Sequence, residues 1–131
     1  MEVTEELKKQ VWNQAREAEG YDRQKVRLDS CNAYMIYDDY GKQSLYGWEI
    51  DHICPVSMLE ELGYSKDMID NVQNLRPMNW RNNLSKSDDY PSYTAVVTSD
   101  GDRNVEREES KIVNALRQQK LQDLYPKIKK N

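Results

Sequence analysis

The chain has 131 residues, of which 32% are charged and 37% hydrophobic, and its mean hydropathy is -1.00. This length fits one domain with a modest core and excludes two independent ones, so we expect a single domain over 1–131. The formal net charge of -4 argues against a strongly basic nucleic-acid binder. No apolar stretch reaches about 18 residues, and the first residues lack the order of a signal peptide, so we expect a cytoplasmic protein without membrane association.

The two cysteines, Cys31 and Cys54, lie far apart in the sequence and form no Cys-x-x-Cys pair. A structural zinc site needs about four thiolate or imidazole ligands. These two thiols and the single histidine cannot supply that number, so we expect no structural zinc. We also expect free thiols in preference to a disulfide, because small disulfide scaffolds usually carry several bridges.

The first third of the chain predicts one helix and one strand. Apolar residues recur there every three or four positions, and Thr4 can cap a helix that begins next to it. We predict a helix from about 5 to 18, ended by Gly20. A polar connector over 21–27 then leads to a predicted strand over 33–37.

The middle of the chain predicts a pair of strands. A period-two pattern, in which Trp48, Ile50 and His52 alternate with Glu49, Asp51 and Ile53, is typical of a strand, and Pro55 ends its pairing. A connection with a short helix over 58–62 leads to a second strand over 75–78.

The last third predicts a helix, a hairpin and a final helix. Asn79 can cap a helix over 80–88, and Asp100-Gly101 favours a tight hairpin turn. A last helix is predicted over 108–124. The predicted fold class is therefore α+β, with a strand–strand–helix core, an N-terminal helix, a C-terminal hairpin and a C-terminal helix.

The single histidine, His52, follows Asp51 at a predicted strand end. Imidazole titrates near neutral pH and suits a general base, whereas a carboxylate is a hard ligand for a divalent ion. Asn83, in the first turn of the predicted helix, can add its amide oxygen, and Lys86 on the same helical face can meet a phosphate. Strict alternation would place Asp51 and His52 on opposite faces, so we expect an irregular strand just before Pro55.

Basic residues are concentrated in two segments of this acidic chain. Arg76, Arg81 and Lys86 lie within 71–87, where there is no acid, and the segment 111–131 is also basic. A local positive face can attract phosphates although the whole molecule is acidic. For the C-terminal segment, an ordinary mixed surface explains the composition as well as DNA contact does.

The residues 51–57, Asp-His-Ile-Cys-Pro-Val-Ser, resemble the start of the HNH endonuclease motif, Asp-His-Ile-x-Pro-x-Ser. The spacing from Asn74 to Asn83 and from Asn83 to Lys86 is similar to the spacing in that family, over a core of about 46–91. Asn83 takes the place of the final histidine, as in the HNH domain of RNA-guided CRISPR nucleases. The chain resembles most the small stand-alone bacterial and phage members, although the usual Gly-Gly after the Pro-x-Ser is absent.

This resemblance implies a ββα-metal fold and a metal-dependent endonuclease that nicks DNA, with a phage or mobile element as its context. It implies Asp51 and Asn83 as metal ligands, His52 as general base, and Asn74 as a brace that holds His52. The implied cofactor is one divalent metal ion, Mg²⁺ or Mn²⁺, with Ni²⁺ or Zn²⁺ as alternatives. The implied partner is DNA rather than RNA, and the oligomeric state stays open.

Two other interpretations remain open. A catalytically silent HNH-fold module could bind DNA or protein without turnover, which the acidic net charge favours, whereas the intact Asp51, His52 and Asn83 favour an enzyme. An RNase or toxin-like nuclease is a third interpretation. A lone histidine without context is more often structural than catalytic. Three apolar side chains are expected in the core instead of the site: Trp48, Trp80 and Leu84.

Overall fold

A computed structural model of the chain describes residues 1–128. Besides short 3-10 turns, this part of the chain contains the α-helices and strands α1 (Glu5–Trp12), β1 (Arg16–Glu17), β2 (Val26–Leu28), β3 (Tyr34–Ile36), β4 (Trp48–His52), α2 (Val56–Glu61), α3 (Lys66–Ile69), β5 (Leu75–Asn79), α4 (Trp80–Lys86), β6 (Ser92–Asp100), β7 (Arg103–Ile112) and α5 (Ala115–Leu124). The predicted α+β class is confirmed. Among these helices, none is long and apolar enough to cross a bilayer.

The strands form three small antiparallel sheets, β1-β2-β3, β4-β5 and β6-β7. In the second sheet Trp48 lies opposite Asn79 and His52 lies opposite Leu75. Helix α4 begins directly after β5, so that β4, β5 and α4 form a strand–strand–helix unit. The side chain of Asn79 accepts hydrogen bonds from the backbone N–H of Arg81 and Asn82, which confirms the predicted cap.

The core has two parts, and β4 contributes to both. At its start, Trp48 packs with Trp12 and Met35, and the rings of the two tryptophans lie 5.0 Å apart. Directly after its end, Ile53 enters a larger apolar cluster that reaches α2, β6 and α5. Because each end is anchored in a different part of the core, the residues between Trp48 and Ile53 are held in a fixed position.

A buried polar cluster fixes α4 against the rest of the fold. Asp29 is 2% exposed, and its carboxylate accepts hydrogen bonds from the backbone N–H of Asn79 and the side chain of Asn82. The amide oxygen of Asn82 in turn accepts from the backbone N–H of Val96 and Val97, where the β6–β7 register shifts. The cluster therefore joins the β5–α4 corner to β6.

The predicted helix over 5–18 is too long, because α1 ends at Trp12. The chain turns at this point, and the guanidinium of Arg27 donates a hydrogen bond of 2.7 Å to the carbonyl of Ala15. The next residues then pair with β2 as the short strand β1. No glycine or proline marks this end, so the helical periodicity alone could not locate it.

The predicted helix over 108–124 begins too early. Residues 108–112 continue β7, in which 109–112 pair with β6, and α5 begins at Ala115. The side chain of Asn114 caps it by accepting a hydrogen bond from the backbone N–H of Arg117. A long-range strand partner outweighs the weak local helix preference of the segment.

Most of the remaining predicted elements are confirmed with small shifts. The strand over 33–37 is confirmed as Tyr34–Ile36, but the polar connector over 21–27 also contains the start of β2. The short helix starts at Val56, and the hairpin turns at Gly101 and Asp102. Trp48 is buried as predicted.

The prediction that Leu84 belongs to the core is wrong, because its side chain is 73% exposed. Trp80, one turn earlier on α4, is half-buried. Its indole N–H donates a hydrogen bond of 2.7 Å to the carbonyl of Ser44. The two residues therefore do not form the buried pair that their spacing suggested.

Candidate active-site cleft

The strand–strand–helix unit borders an open cleft of about 370 Å³. Asp51 and His52 reach it from β4, and Asn83 reaches it from α4. The exposed Leu84 and the half-buried Trp80 form part of its wall. The remaining lining residues are Gln43, Glu49, Ile50, Pro55, Val56, Ser87 and Asp88.

The irregularity predicted in β4 before Pro55 is not present. Pairing with β5 stays in register through His52 and continues with a backbone hydrogen bond from Ile53 to Asn74. The other edge of β4 makes a single bridge, from Trp48 to Tyr40. Beyond Trp48, no strand within residues 1–128 pairs with that edge. Side chains from both faces of β4 therefore border the same cleft without a break in the strand.

Asn74 holds the chain directly after β4. Its side chain is fully buried, and its amide oxygen accepts a hydrogen bond of 2.7 Å from the backbone N–H of Cys54. Its amide nitrogen donates to the carbonyls of Cys54 and Ile69 at 3.1 and 3.2 Å. Asn74 thus joins the end of β4 to the end of α3. It acts on His52 only indirectly, because it binds the backbone of Cys54, two residues further along the chain.

The imidazole of His52 has a carboxylate partner that the sequence analysis missed. Its Nε2 lies 2.8 Å from Oδ1 of Asp70, and both side chains are about one-fifth exposed. An Nε2–H donated to Asp70 leaves Nδ1 as the unprotonated nitrogen. Asp70 lies just after α3, and no motif in the sequence marks it as a partner of His52.

Asp51 is held by two cations. Its Oδ2 lies 2.9 Å from Nε of Arg76, and its Oδ1 lies 3.3 Å from Nζ of Lys86. Lys86 is fully buried and also donates a hydrogen bond of 3.2 Å to the carbonyl of His52. Burial lowers the pKa of the Lys86 ammonium, although the charge of Asp51 opposes this effect. Lys86 is therefore part of the support beneath the cleft.

The predicted phosphate-facing surface of Arg76, Arg81 and Lys86 does not form. Lys86 and most of Arg76 are buried against Asp51, and the exposed Arg81 lies 2.9 Å from Glu106 of β7. The segment 71–87 contains no acidic residue, but in the folded chain Asp51 of β4 and Glu106 of β7 lie next to its cations. Of the three, Arg81 alone presents much of its side chain to solvent, with 38% exposed.

Asn83 faces a second carboxylate, Glu49. Its amide nitrogen donates a hydrogen bond of 2.9 Å to Oε1 of Glu49. Within residues 1–128, its amide oxygen accepts no hydrogen bond, so that oxygen remains available to a ligand. The sequence analysis missed Glu49, although a position two residues before Asp51 lies on the same face of a strand.

The donor set of this cleft fits an open divalent-ion site better than a closed one. Asp51, Glu49 and Asn83 supply carboxylate and amide oxygens, the ligands that Mg²⁺ and Mn²⁺ prefer. Within the described part of the chain, no three or more His, Cys, Asp or Glu side chains lie close enough to share one ion. Water and a substrate phosphate would therefore have to complete the coordination, as is usual for Mg²⁺ sites.

A scan against protein-family models found no matching family, and searches of curated proteins and of solved structures found no significant match.

Proposed function

We propose that the protein is a metal-dependent endonuclease that hydrolyses DNA phosphodiester bonds, with an HNH core over about 46–91. One observation carries the proposal: Asp51, His52 and Asn83, which come from two separate elements, border the same open cleft. A base, an anionic metal ligand and a neutral oxygen donor are the groups that this hydrolysis needs side by side.

In the proposed reaction, Nδ1 of His52 takes a proton from a water molecule while the water oxygen attacks the phosphorus. The bond from phosphorus to the leaving oxygen breaks, and that oxygen takes a proton from solvent. Asp70 accepts the Nε2–H, which orients the imidazole and stabilises its charge once it is protonated. A divalent ion on Asp51 and Asn83, when bound, supplies positive charge for the phosphate and the leaving oxygen.

The residues around these groups position them. Asn74 fixes the backbone after β4 and thereby limits the positions that His52 can take. Arg76 and Lys86 hold the carboxylate of Asp51 in place. Because both are cations, they also lower the attraction of Asp51 for a metal ion, so the proposed site should bind its ion weakly without substrate.

Nicking of supercoiled plasmid in Mg²⁺, in Mn²⁺ and in EDTA tests this proposal. The parent should nick the plasmid only with a divalent ion, and His52→Ala should lose about 10²- to 10⁴-fold of the rate. Glu108→Gln is a matched control, because Glu108 is exposed on β7 and does not border the cleft. Equal rates for the parent and His52→Ala would exclude His52 as the base.

One observation favours a second candidate, a catalytically silent module of the same fold. Both oxygens of Asp51 are already engaged by Arg76 and Lys86, as in a purely structural ion pair. Calorimetric titration with Mn²⁺ separates the two candidates. A nuclease should bind Mn²⁺ and lose that binding in Asp51→Ala, whereas a silent module should bind no ion and show the same DNA affinity in EDTA.

A further inference from the structure

A second cavity, of about 190 Å³, lies next to Arg76 and shares no lining residue with the active-site cleft. Three arginines from three different elements border it: Arg16 of β1, Arg76 of β5 and Arg117 of α5. Arg16 and the neighbouring Asn114 are exposed, so solvent reaches the cavity from that side.

Arg76 has an unused hydrogen-bond donor here. Its Nε is bound to Asp51, but its Nη2 is buried and has no hydrogen-bond partner. A buried donor without a partner is rare in proteins, because burial removes its hydrogen bonds to water and no protein acceptor replaces them. Because Arg76 lines the cavity, we expect an acceptor oxygen of a ligand bound there to become the partner of this group.

The other two arginines have no acidic partner within residues 1–128. Arg16 donates to the side-chain oxygen of Asn32, and Arg117 donates to the carbonyl of Gln73 at 3.3 Å. Burial lowers the pKa of Arg117, and the charge of Arg76 lowers it further. Arg76 and Arg117 border the same cavity, and within the described chain neither Arg16 nor Arg117 forms an ion pair there.

The lining contains one carboxylate, Asp29, against three arginines. One of its oxygens accepts hydrogen bonds from the backbone N–H of Cys31 and Ala33. The other accepts from the backbone N–H of Asn79 and the side chain of Asn82. These four donors are neutral and leave the charge of Asp29 in place; because Asp51 pairs with Arg76, the lining stays net positive through Arg16 and Arg117.

We propose that this cavity binds a phosphate-type oxyanion, with Nη2 of Arg76 and the guanidinium groups of Arg16 and Arg117 as donors. Guanidinium groups match the geometry of phosphate oxygens and form charge-assisted hydrogen bonds with them. A water molecule occupies about 30 Å³ in the liquid, so a cavity of this size has room for a larger anion. The N-terminus of α5, at Asn114, adds further positive potential.

Two sources can supply such an oxyanion: a free phosphate ion and the phosphodiester backbone of a nucleic acid. Neither source depends on the proposed nuclease activity, because Arg76 is the one cavity residue that contacts that machinery, and it contacts Asp51 through Nε and not through Nη2. The site can therefore be tested on the full chain in EDTA, where hydrolysis does not interfere.

Calorimetric titration with inorganic phosphate, at constant ionic strength set with chloride, tests the proposal. Arg117→Gln and Arg16→Gln should each weaken phosphate binding about tenfold, since each removes a charge-assisted donor. Arg107→Gln is the matched control, because it removes the same charge from an exposed position on β7 that does not border the cavity. It should leave the affinity unchanged.

A second variant, Arg76→Lys, keeps the charge beside Asp51 but removes the Nη2 donor, and it should also weaken phosphate binding. A short DNA duplex added as a competitor identifies the source: displacement of phosphate indicates a backbone phosphodiester, and no displacement indicates a free ion. The proposal is overturned if the parent does not bind phosphate at about 10 mM, a concentration that detects even weak sites. It is equally overturned if Arg117→Gln and Arg16→Gln bind like the parent.

Discussion

At the scale of single residues, the pair of His52 and Asp70 is the contact with the clearest chemical consequence. A distance of 2.8 Å between Nε2 and a carboxylate oxygen orients the ring, and because an ionised carboxylate only accepts hydrogen bonds, it favours the Nε2–H tautomer of the neutral ring. Because His52 is the only histidine in the chain, its imidazole can be observed without overlap from other residues.

We expect Asp70→Ala to lower the nicking rate about tenfold or more, because part of the contribution of a general base depends on its orientation. Nitrogen-15 NMR of the imidazole supplies a second readout. The parent should show the Nε2–H tautomer when neutral, and Asp70→Ala should show a mixture of both tautomers. An unchanged tautomer in the variant would mean that Asp70 does not orient His52.

Lys86 leads to a different prediction at this scale. Since its buried ammonium competes for Asp51, Lys86→Met should raise the affinity for Mn²⁺ about tenfold. It should leave the salt dependence of DNA binding unchanged, because a fully buried lysine releases no counterions. Calorimetric titration measures the first effect, with Lys120→Met as the exposed control. Weaker metal binding in Lys86→Met would show that Lys86 supports the metal site instead of competing with it.

At the scale of elements, the position of α4 depends on a few buried polar contacts. Asn82 joins this helix to Asp29 on one side and to the β6 register shift on the other. Asn83 and Lys86, which lie on the same helix, can face β4 only while this connection holds. Helix α4 thus carries both Asn82, which anchors it, and the candidate site residues Asn83 and Lys86.

Replacing Asn82 with alanine should lower the free energy of unfolding by about 2–4 kcal/mol, because it leaves several buried backbone and side-chain groups without partners. Leu84→Ala is a control on the same helix. Its side chain is 73% exposed, so its cost should stay within about 0.5 kcal/mol. Urea unfolding measures both values, and equal costs for the two variants would contradict the anchoring role of Asn82.

At the scale of the whole molecule, two buried thiols link stability to alkaline pH. Cys31 and Cys54 are both free and fully buried. Burial raises the pKa of each thiol from 9.0 to about 11, and the charge of Asp29 contributes at Cys31. The folded chain therefore binds these protons more tightly than the unfolded chain does.

This linkage has a definite sign. The stabilising contribution is complete below about pH 9 and is lost as the pH rises through about 11, by about 2–3 kcal/mol per thiol for a shift of two pKa units. The double variant Cys31→Ala/Cys54→Ala should show a smaller decrease of stability than the parent over this range. Urea unfolding at several pH values measures the difference. If the free energy of unfolding falls equally with pH in the parent and in the double variant, the thiols are not the cause.

The sequence alone determined the features that depend on neighbouring residues. The alternation from Trp48 to Ile53 located β4, and Asn79 marked the start of α4, because strand periodicity and helix capping are local effects. The Asp-Gly turn located the last hairpin for the same reason. The resemblance to the HNH endonucleases and the single domain also come from the sequence alone, and both remain predictions.

Only the tertiary structure decided the features that depend on distant residues. It ended α1 at Trp12, where Arg27 binds the following turn, and it buried Lys86 against Asp51. It also placed Asp70 beside His52. These outcomes could not be read from spacing, because a charge or a hydrogen-bonding group is partnered by whatever the fold brings within about 3 Å, however far apart the two residues lie in the chain.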